Sequence, residues 1–347
     1  MEKVLLIKLR AMGDTVLTTA ALEAVKEHLP RAKIHCLLPE MWAPLFESHP
    51  ACYRIWLWRP ARTIHKLLQI FNLVKVLRRE KYDLVIALHA AGTSAWIARL
   101  TGAKVRSIHF HGIHDKNKFS TVEIPGKGVI KPILERDLDA LRALGWAIEK
   151  PKVPKVYLSE KDQVAARKWL HERGSKGPLM ALGLGASRPT KMWPLEKYVA
   201  LAQHWRASTQ GSVLLVVGPQ EAELLKPFFL EPYVMVKISR NVRESAALFA
   251  ECDLFVGNDS GPKHLAAAVG LRTITLFGPE NPLEWHPYEK NTHPVIFREG
   301  LSCRKPLAAG LPDWCGLATC EVEQHRCMRD ISIDEVIRLW PPQFQNS

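Results

Sequence analysis

Long apolar runs are missing from this 347-residue chain. None approaches the roughly 20 residues that a membrane-crossing helix requires. The opening MEKVLLIKLRAMGD does not read as a secretion leader, because Lys8 breaks the apolar stretch Val4–Ile7 and no cleavage pattern follows. A cytoplasmic location is therefore expected. Disorder-prone composition is also missing: 47% of residues are hydrophobic and 24% charged, as in ordinary globular proteins. Cysteine is scarce and odd in number, seven in all, which suits a reducing compartment. Four of the seven (Cys303, Cys315, Cys320 and Cys327) crowd the tail without a CxxC pair. Zinc is thus weakly signalled. Reduced thiols packing a loop-rich tail is the simpler reading, and a structural metal or a staple stays open.

Three further absences narrow the function. No G-x-G-x-x-G follows the first strand, which speaks against tight pyrophosphate binding at that turn. No Asp-x-Asp metal motif accompanies the strand-to-helix junction at 253–264, so no metal and no other cofactor is expected. No helix-turn-helix or RNA-stacking signature appears, so only charge argues for nucleic acid, and no nucleic-acid partner is expected.

Acidic residues are in deficit, giving a net charge of +13. The deficit is concentrated at one end: residues 1–150 hold 24 Lys and Arg against 14 Asp and Glu, and the remainder 24 against 21. The N-terminal half should face something anionic.

Two domains are expected from the length. Residues 1–150 alternate short aliphatic runs (4–9, 33–38, 53–57, 83–89, 105–110) with helical patterns near 15–28, 62–80, 92–100 and 132–144. A Pro- and Lys-rich stretch from Glu149 reads as a linker, and residues 151–347 resume the alternation. Strands are expected at 179–184, 212–218, 234–238, 253–257 and 273–277, and helices at 160–173, 194–208, 220–228, 243–251 and 262–269. Continuous apolar strands between helices indicate parallel sheets covered on both faces, here two doubly wound, Rossmann-like α/β domains. Ligands of such sheets gather at the carboxyl ends of the strands, so the gap between the domains is the expected site.

Three motifs stand at those strand ends. KLRAMGDTVLTTAAL (8–22) puts Asp14 where a helix opens, and capping that helix is its simplest role. GLGASRPTKMWPLEKY (183–198) carries Lys191 after a strand end, either as a point charge for phosphate or as a solvated loop lysine. DLFVGNDSGPKHLAAAVGLRTITLFGPENPLEW (253–285) runs a buried strand into a helix whose free N–H groups favour an anion such as a diphosphate. Ser260 offers a hydroxyl, Gly261 allows close backbone approach, and His264 can face the same anion. Asp259 either binds a sugar hydroxyl or is structural.

These segments, with VVGPQEAE at 216–223, resemble glycosyltransferase family 9, the ADP-heptose:lipopolysaccharide heptosyltransferases. The resemblance covers most of the chain and is most specific in FVGNDSGPKHLAAAVGLRTITLFGP. It implies a GT-B fold, with residues 1–150 binding the acceptor and residues 151–347 the nucleotide sugar. It implies inverting transfer of a heptose from ADP-heptose to Kdo or heptose of the lipopolysaccharide inner core at the inner-membrane surface. By motif, Asp14 matches the family's proposed general base, Lys191 a phosphate contact, and Asp259, Ser260, Gly261 and His264 the donor loop. Glu221 matches an acid near the ribose. Closure of the domains would bring Asp14 to the sugar and exclude water. A nucleotide-sugar epimerase of similar architecture and a non-catalytic module that binds anionic glycolipid are the rival functions.

The segment 61–81 collects Ile64, Leu67, Leu68, Phe71 and Val74 with Lys66, Lys75, Arg78, Arg79 and Lys81. It either lies against anionic lipid or turns its apolar residues to the core. The second is the simpler expectation for most of them.

Overall fold

In the computed structural model, residues 1–59, 64–88, 91–109, 119–124, 131–304, 315–320 and 325–345 are described. The chain divides into two units, Met1–Tyr157 and Leu158–Ser347.

The first unit runs β1 (Lys3–Ile7), α1 (Met12–His28), β2 (Lys33–Pro39), β3 (Arg54–Trp58), α2 (Ile64–Arg79), β4 (Leu84–Ala87), α3 (Gly92–Leu100), β5 (Val105–Ile108) and α4 (Ile133–Arg142). Its strands form a wholly parallel sheet in the order β3-β2-β1-β4-β5. Val4, Leu5, Leu6 and Ile7 of the central β1 are fully buried, as expected of a strand covered on both faces. The order reverses between β1 and β4, so the loops after these two strands flank a crevice at the carboxyl edge. The Pro- and Lys-rich stretch after Glu149 is tied back to this unit. The Lys155 N–H donates to Thr19 Oγ1 at 3.0 Å, and the Tyr157 hydroxyl donates to Glu23 at 2.7 Å.

The second unit runs α5 (Glu160–Glu172), β6 (Leu179–Gly183), α6 (Leu195–Thr209), β7 (Ser212–Val217), β8 (Val234–Ile238), α7 (Val242–Ala250), β9 (Leu254–Asn258), α8 (Gly261–Ala268), β10 (Thr273–Phe277), α9 (Pro282–Trp285), β11 (Val295–Phe297), α10 (Arg326–Arg329) and α11 (Ile333–Ile337). All six strands are parallel, in the order β11-β10-β9-β6-β7-β8, with the reversal between β6 and β9. Trp193, Tyr198, Trp205 and Trp340 fill the core on one face of this sheet. Gly183 and Gly257 are register partners in β6 and β9. A Cβ on Gly257 would meet Phe255 at 2.8 Å and the Gly183 Cα at 3.0 Å, so only glycine fits there.

Three expectations need correction. The helix expected at 220–228 is a 3₁₀ helix, Pro219–Phe228, interrupted by Pro227. A short edge strand, β11, was not expected. The apolar face of α2 is also different. Val74 and Leu77 are buried, with Ile70 and Leu73 packed beside them. Leu67, Leu68 and Phe71 are 57–68% exposed, so they do not face the core. The side chains of Ile64 and Lys66 lie outside the described residues, as do the expected strand ends at His89 and Phe110.

Candidate functional site

Each unit places its candidate residues at its own switch point. In the first unit the loop after β1 delivers Lys8, Arg10 and Asp14. Asp14 does not cap α1. The helix begins two residues earlier, with Ala11 in the cap position and no side-chain cap bond. Asp14 instead stands in the first helical turn, its side chain 13% exposed, between two cations. Lys8 Nζ lies 3.9 Å from Oδ1, and Arg10 Nε lies 3.7 Å from Oδ2. The Lys8 ammonium is buried and donates to both carboxylate oxygens of Asp137 on α4, at 3.0 and 3.2 Å, and to the Leu88 carbonyl beyond β4 at 3.0 Å.

In the second unit the loops after β6 and β9 converge. Lys191 closes a short 3₁₀ turn, Pro189–Lys191, and its ammonium donates to Asp259 Oδ2 at 2.8 Å. The other carboxylate oxygen, Oδ1, accepts from Lys263 at 2.5 Å. Asp259 is therefore a counter-ion held between two lysines. Burial opposes its ionisation, but Lys263 and Lys191 outweigh burial and hold its carboxyl well below the usual range. Burial also pushes the Lys263 ammonium down to about 8, Asp259 notwithstanding. Lys191 lies 3.6 Å from Glu280, which also pairs with Arg188. The cluster thus carries three cations and two carboxylates, a net positive charge.

The start of α8 supplies the neutral donors. Ser260 is the cap residue, and its hydroxyl makes no side-chain cap bond. Among the described residues that hydroxyl is buried without a hydrogen-bond partner, so it is available to a ligand. Gly261 is the first helical residue, where backbone N–H groups have no partner within the helix. His264 turns to Tyr288, sharing a hydrogen bond of 2.7 Å through Nδ1. Burial, then Lys263, holds its imidazole well below its ordinary value, so it is neutral and a weak partner for an anion. Glu221 lies against the loop after β6. Its Oε2 accepts the Gly218 N–H at 3.1 Å, and its Oε1 occupies the space that a Cβ on Gly185 would need.

The structure therefore brings Lys191, Asp259, Ser260 and Gly261 together at the β6/β9 switch point. Glu221 stands beside the same β6 loop, and Asp14 belongs to the other unit. Sequence reasoning missed four contributors. Lys263 was detectable, because it is four residues beyond Asp259 at a helix start. Arg188 and Glu280 carry no distinguishing pattern. Asn258, the last residue of β9, accepts from the Trp193 N–H at 2.9 Å and donates to the Leu184 carbonyl at 2.8 Å, so it clasps the loop after β6.

The tail cysteines are free thiols. Cys303, Cys315, Cys320 and Cys327 line one pocket with Thr190, Arg304 and His325. Among the described residues no group of three or more His, Cys, Asp or Glu side chains is placed to hold a metal ion.

Residues 70–308 match the family model for glycosyltransferase family 9 (heptosyltransferase). The chain is 29% identical over 297 residues to lipopolysaccharide heptosyltransferase 3 of Escherichia coli, covering 82% of this chain and 85% of that protein. It is 25% identical over 347 residues to lipooligosaccharide heptosyltransferase 2 of Campylobacter jejuni, covering 97% and 96%. Among solved structures it resembles a family 9 glycosyl transferase from Veillonella parvula, with a TM-score of 0.80 at 20% identity, covering 97% of this chain and 96% of that one. It also resembles ADP-heptose lipopolysaccharide heptosyltransferase II of E. coli, with a TM-score of 0.75 at 19% identity and 97% of both chains covered. The fold is therefore GT-B.

Proposed function

The chain belongs to glycosyltransferase family 9, and we propose that it moves a heptose from ADP-heptose to the Kdo or heptose of the lipopolysaccharide inner core, with inversion. The observation that carries this reading is the junction of β9 and α8. There a serine hydroxyl that is buried without a hydrogen-bond partner among the described residues, and a helix start, adjoin a pair of lysines held by Asp259, in a chain of this family.

In the proposed reaction the diphosphate of the donor lies against the start of α8 and Lys191. As the sugar leaves, negative charge grows on the β-phosphate. Lys191, the Ser260 hydroxyl and the N–H groups near Gly261 stabilise it. Glu221 takes the ribose side of the nucleotide. Asp14 accepts the proton of the attacking acceptor hydroxyl. Lys8 and Arg10 stand beside it at 3.9 and 3.7 Å, and any carboxylate is a modest base. A modest base suffices where the sugar carbon is already strongly cationic, because the proton then leaves late.

The acceptor is a membrane glycolipid in this reading, and α2 is suited to approach one. No helix among the described residues is long and apolar enough to cross a membrane. Leu67, Leu68 and Phe71 are nevertheless exposed on the same side of α2 as the exposed Lys75, Arg78 and Arg79. Apolar residues flanked by cations suit shallow insertion among anionic headgroups.

The test is incubation with ADP-heptose and a panel of truncated lipopolysaccharide cores, read by mass. One added heptose with release of ADP is expected for one acceptor class. Asp14→Asn should retain ADP binding and lose transfer by at least about a hundredfold. Conversion of the donor with no acceptor present would point to an epimerase instead.

A further inference from the structure

The first unit buries an ion pair that the chemistry above does not use. Lys8 and Asp137 have side chains only 2% and 1% exposed, and they come from different elements, the end of β1 and the middle of α4. An ammonium buried this deeply needs a counter-charge. Two carboxylates are within reach, and they are treated differently. Asp137 takes hydrogen bonds at 3.0 and 3.2 Å, whereas Asp14 stands at 3.9 Å, beyond hydrogen-bond distance. The Leu88 carbonyl takes a further N–H of the ammonium.

We propose that Asp137 is a positioning residue for Asp14: by holding Lys8 it keeps the ammonium close enough to steady the Asp14 charge but off its oxygens, which stay open to the acceptor hydroxyl. This inference rests on Asp14 being the general base. Without Asp137, Asp14 is the remaining carboxylate beside Lys8, and the ammonium turns to it. A carboxylate locked in that pair is a weaker base with one oxygen blocked. The other charges facing the pair are Arg10, 3.7 Å from Asp14, and Arg136, which adjoins Asp137 and favours its ionised form. Burial pushes the Asp137 carboxyl upward, and Lys8 opposes that rise. The charge on Asp137 thus depends on the lysine it restrains.

The test uses the full-length enzyme, ADP-heptose and the accepted core, with kcat and KM measured against pH. Asp137→Asn should lower kcat roughly tenfold, leave KM for ADP-heptose unchanged, and move the acid limb of the kcat profile to lower pH. The double variant Lys8→Met/Asp137→Leu removes both buried charges without leaving either alone, a change that usually spares stability. It should move the acid limb to higher pH. The double variant alone decides the matter if Asp137→Asn does not fold. An unmoved acid limb in these folded variants overturns the inference, whatever happens to kcat. Asp14→Asn is run beside them. Near-normal transfer by that variant removes the base assignment itself, whereas an inactive Asp14→Asn with unmoved limbs in the other variants refutes only the role of Asp137.

Discussion

Asp259→Asn separates two roles that the motif alone leaves open. The substitution keeps the shape of the side chain and removes its charge. In the native structure both carboxylate oxygens are taken, one by Lys191 at 2.8 Å and one by Lys263 at 2.5 Å, and Lys263 has no exposure at all. An asparagine can accept from only one lysine, and its NH₂ group then faces the other ammonium. Breaking a buried ion pair by removing one partner costs about 3–5 kcal/mol. For a unit of this size each kcal/mol lowers the melting temperature by about 2–4 °C, so a fall of about 10 °C is expected by calorimetry at pH 7. The loss should shrink at pH 9. Lys263 already titrates near 8 in the native protein, and without its counter-ion it sheds its proton more readily still. The unfolded chain keeps a lysine proton to about 10.5, so stability rises with pH across that window. ADP should still stabilise the variant, because Lys191, the Ser260 hydroxyl and the start of α8 remain in place. A variant that melts like the wild type while losing its preference for ADP-heptose over ADP would refute the counter-ion role and make Asp259 a sugar ligand.

Three other outcomes are expected. Gly185→Ala should fold normally, because the obstructing atom is the far end of the flexible Glu221 side chain. It should nonetheless displace that carboxylate and weaken ADP binding severalfold by titration calorimetry, and unchanged affinity would remove Glu221 from the nucleotide site. Burial pushes His49 down to about 4 from its ordinary value near 6.5, so the unfolded chain binds the extra proton first as pH falls. That histidine alone should cost about 2 kcal/mol of stability by pH 5, and His49→Gln should flatten the fall in melting temperature between pH 7 and 5. Replacing Leu67, Leu68 and Phe71 together with serine should leave stability nearly unchanged and reduce cosedimentation with anionic liposomes at least about tenfold. Binding equal to that of the wild type would send the membrane contact elsewhere.

The alternation of buried aliphatic runs with helices made both sheets legible, because strands such as Val4–Ile7 and Leu254–Asn258 have no polar face to misplace. β11 escaped because three residues at a sheet edge carry no period. The 3₁₀ helix at Pro219–Phe228 looked helical because its apolar spacing is that of a helix, while Pro227 removes a donor that an α-helix needs. α2 misled for a related reason: its apolar residues are too many for one stripe, and contact with the sheet selects Ile70, Leu73, Val74 and Leu77 over Leu67, Leu68 and Phe71. At the candidate site the strand-to-helix junctions were visible as motifs. Ion pairing was not, because Asp137 and Lys8 are 129 residues apart and only the folded sheet joins them.

Asn258 has a consequence for how a nucleotide is received. One amide side chain fastens the carboxyl end of β9 to Leu184 and to Trp193, whose own indole N–H donates to the Ile331 carbonyl. The loop bearing Lys191 is thereby pinned from both sides before any ligand arrives. A ligand entering this mould has little chain to organise, so few degrees of freedom are surrendered on contact. The speed of capture should then follow the ionic strength of the buffer more than any rearrangement of the loop.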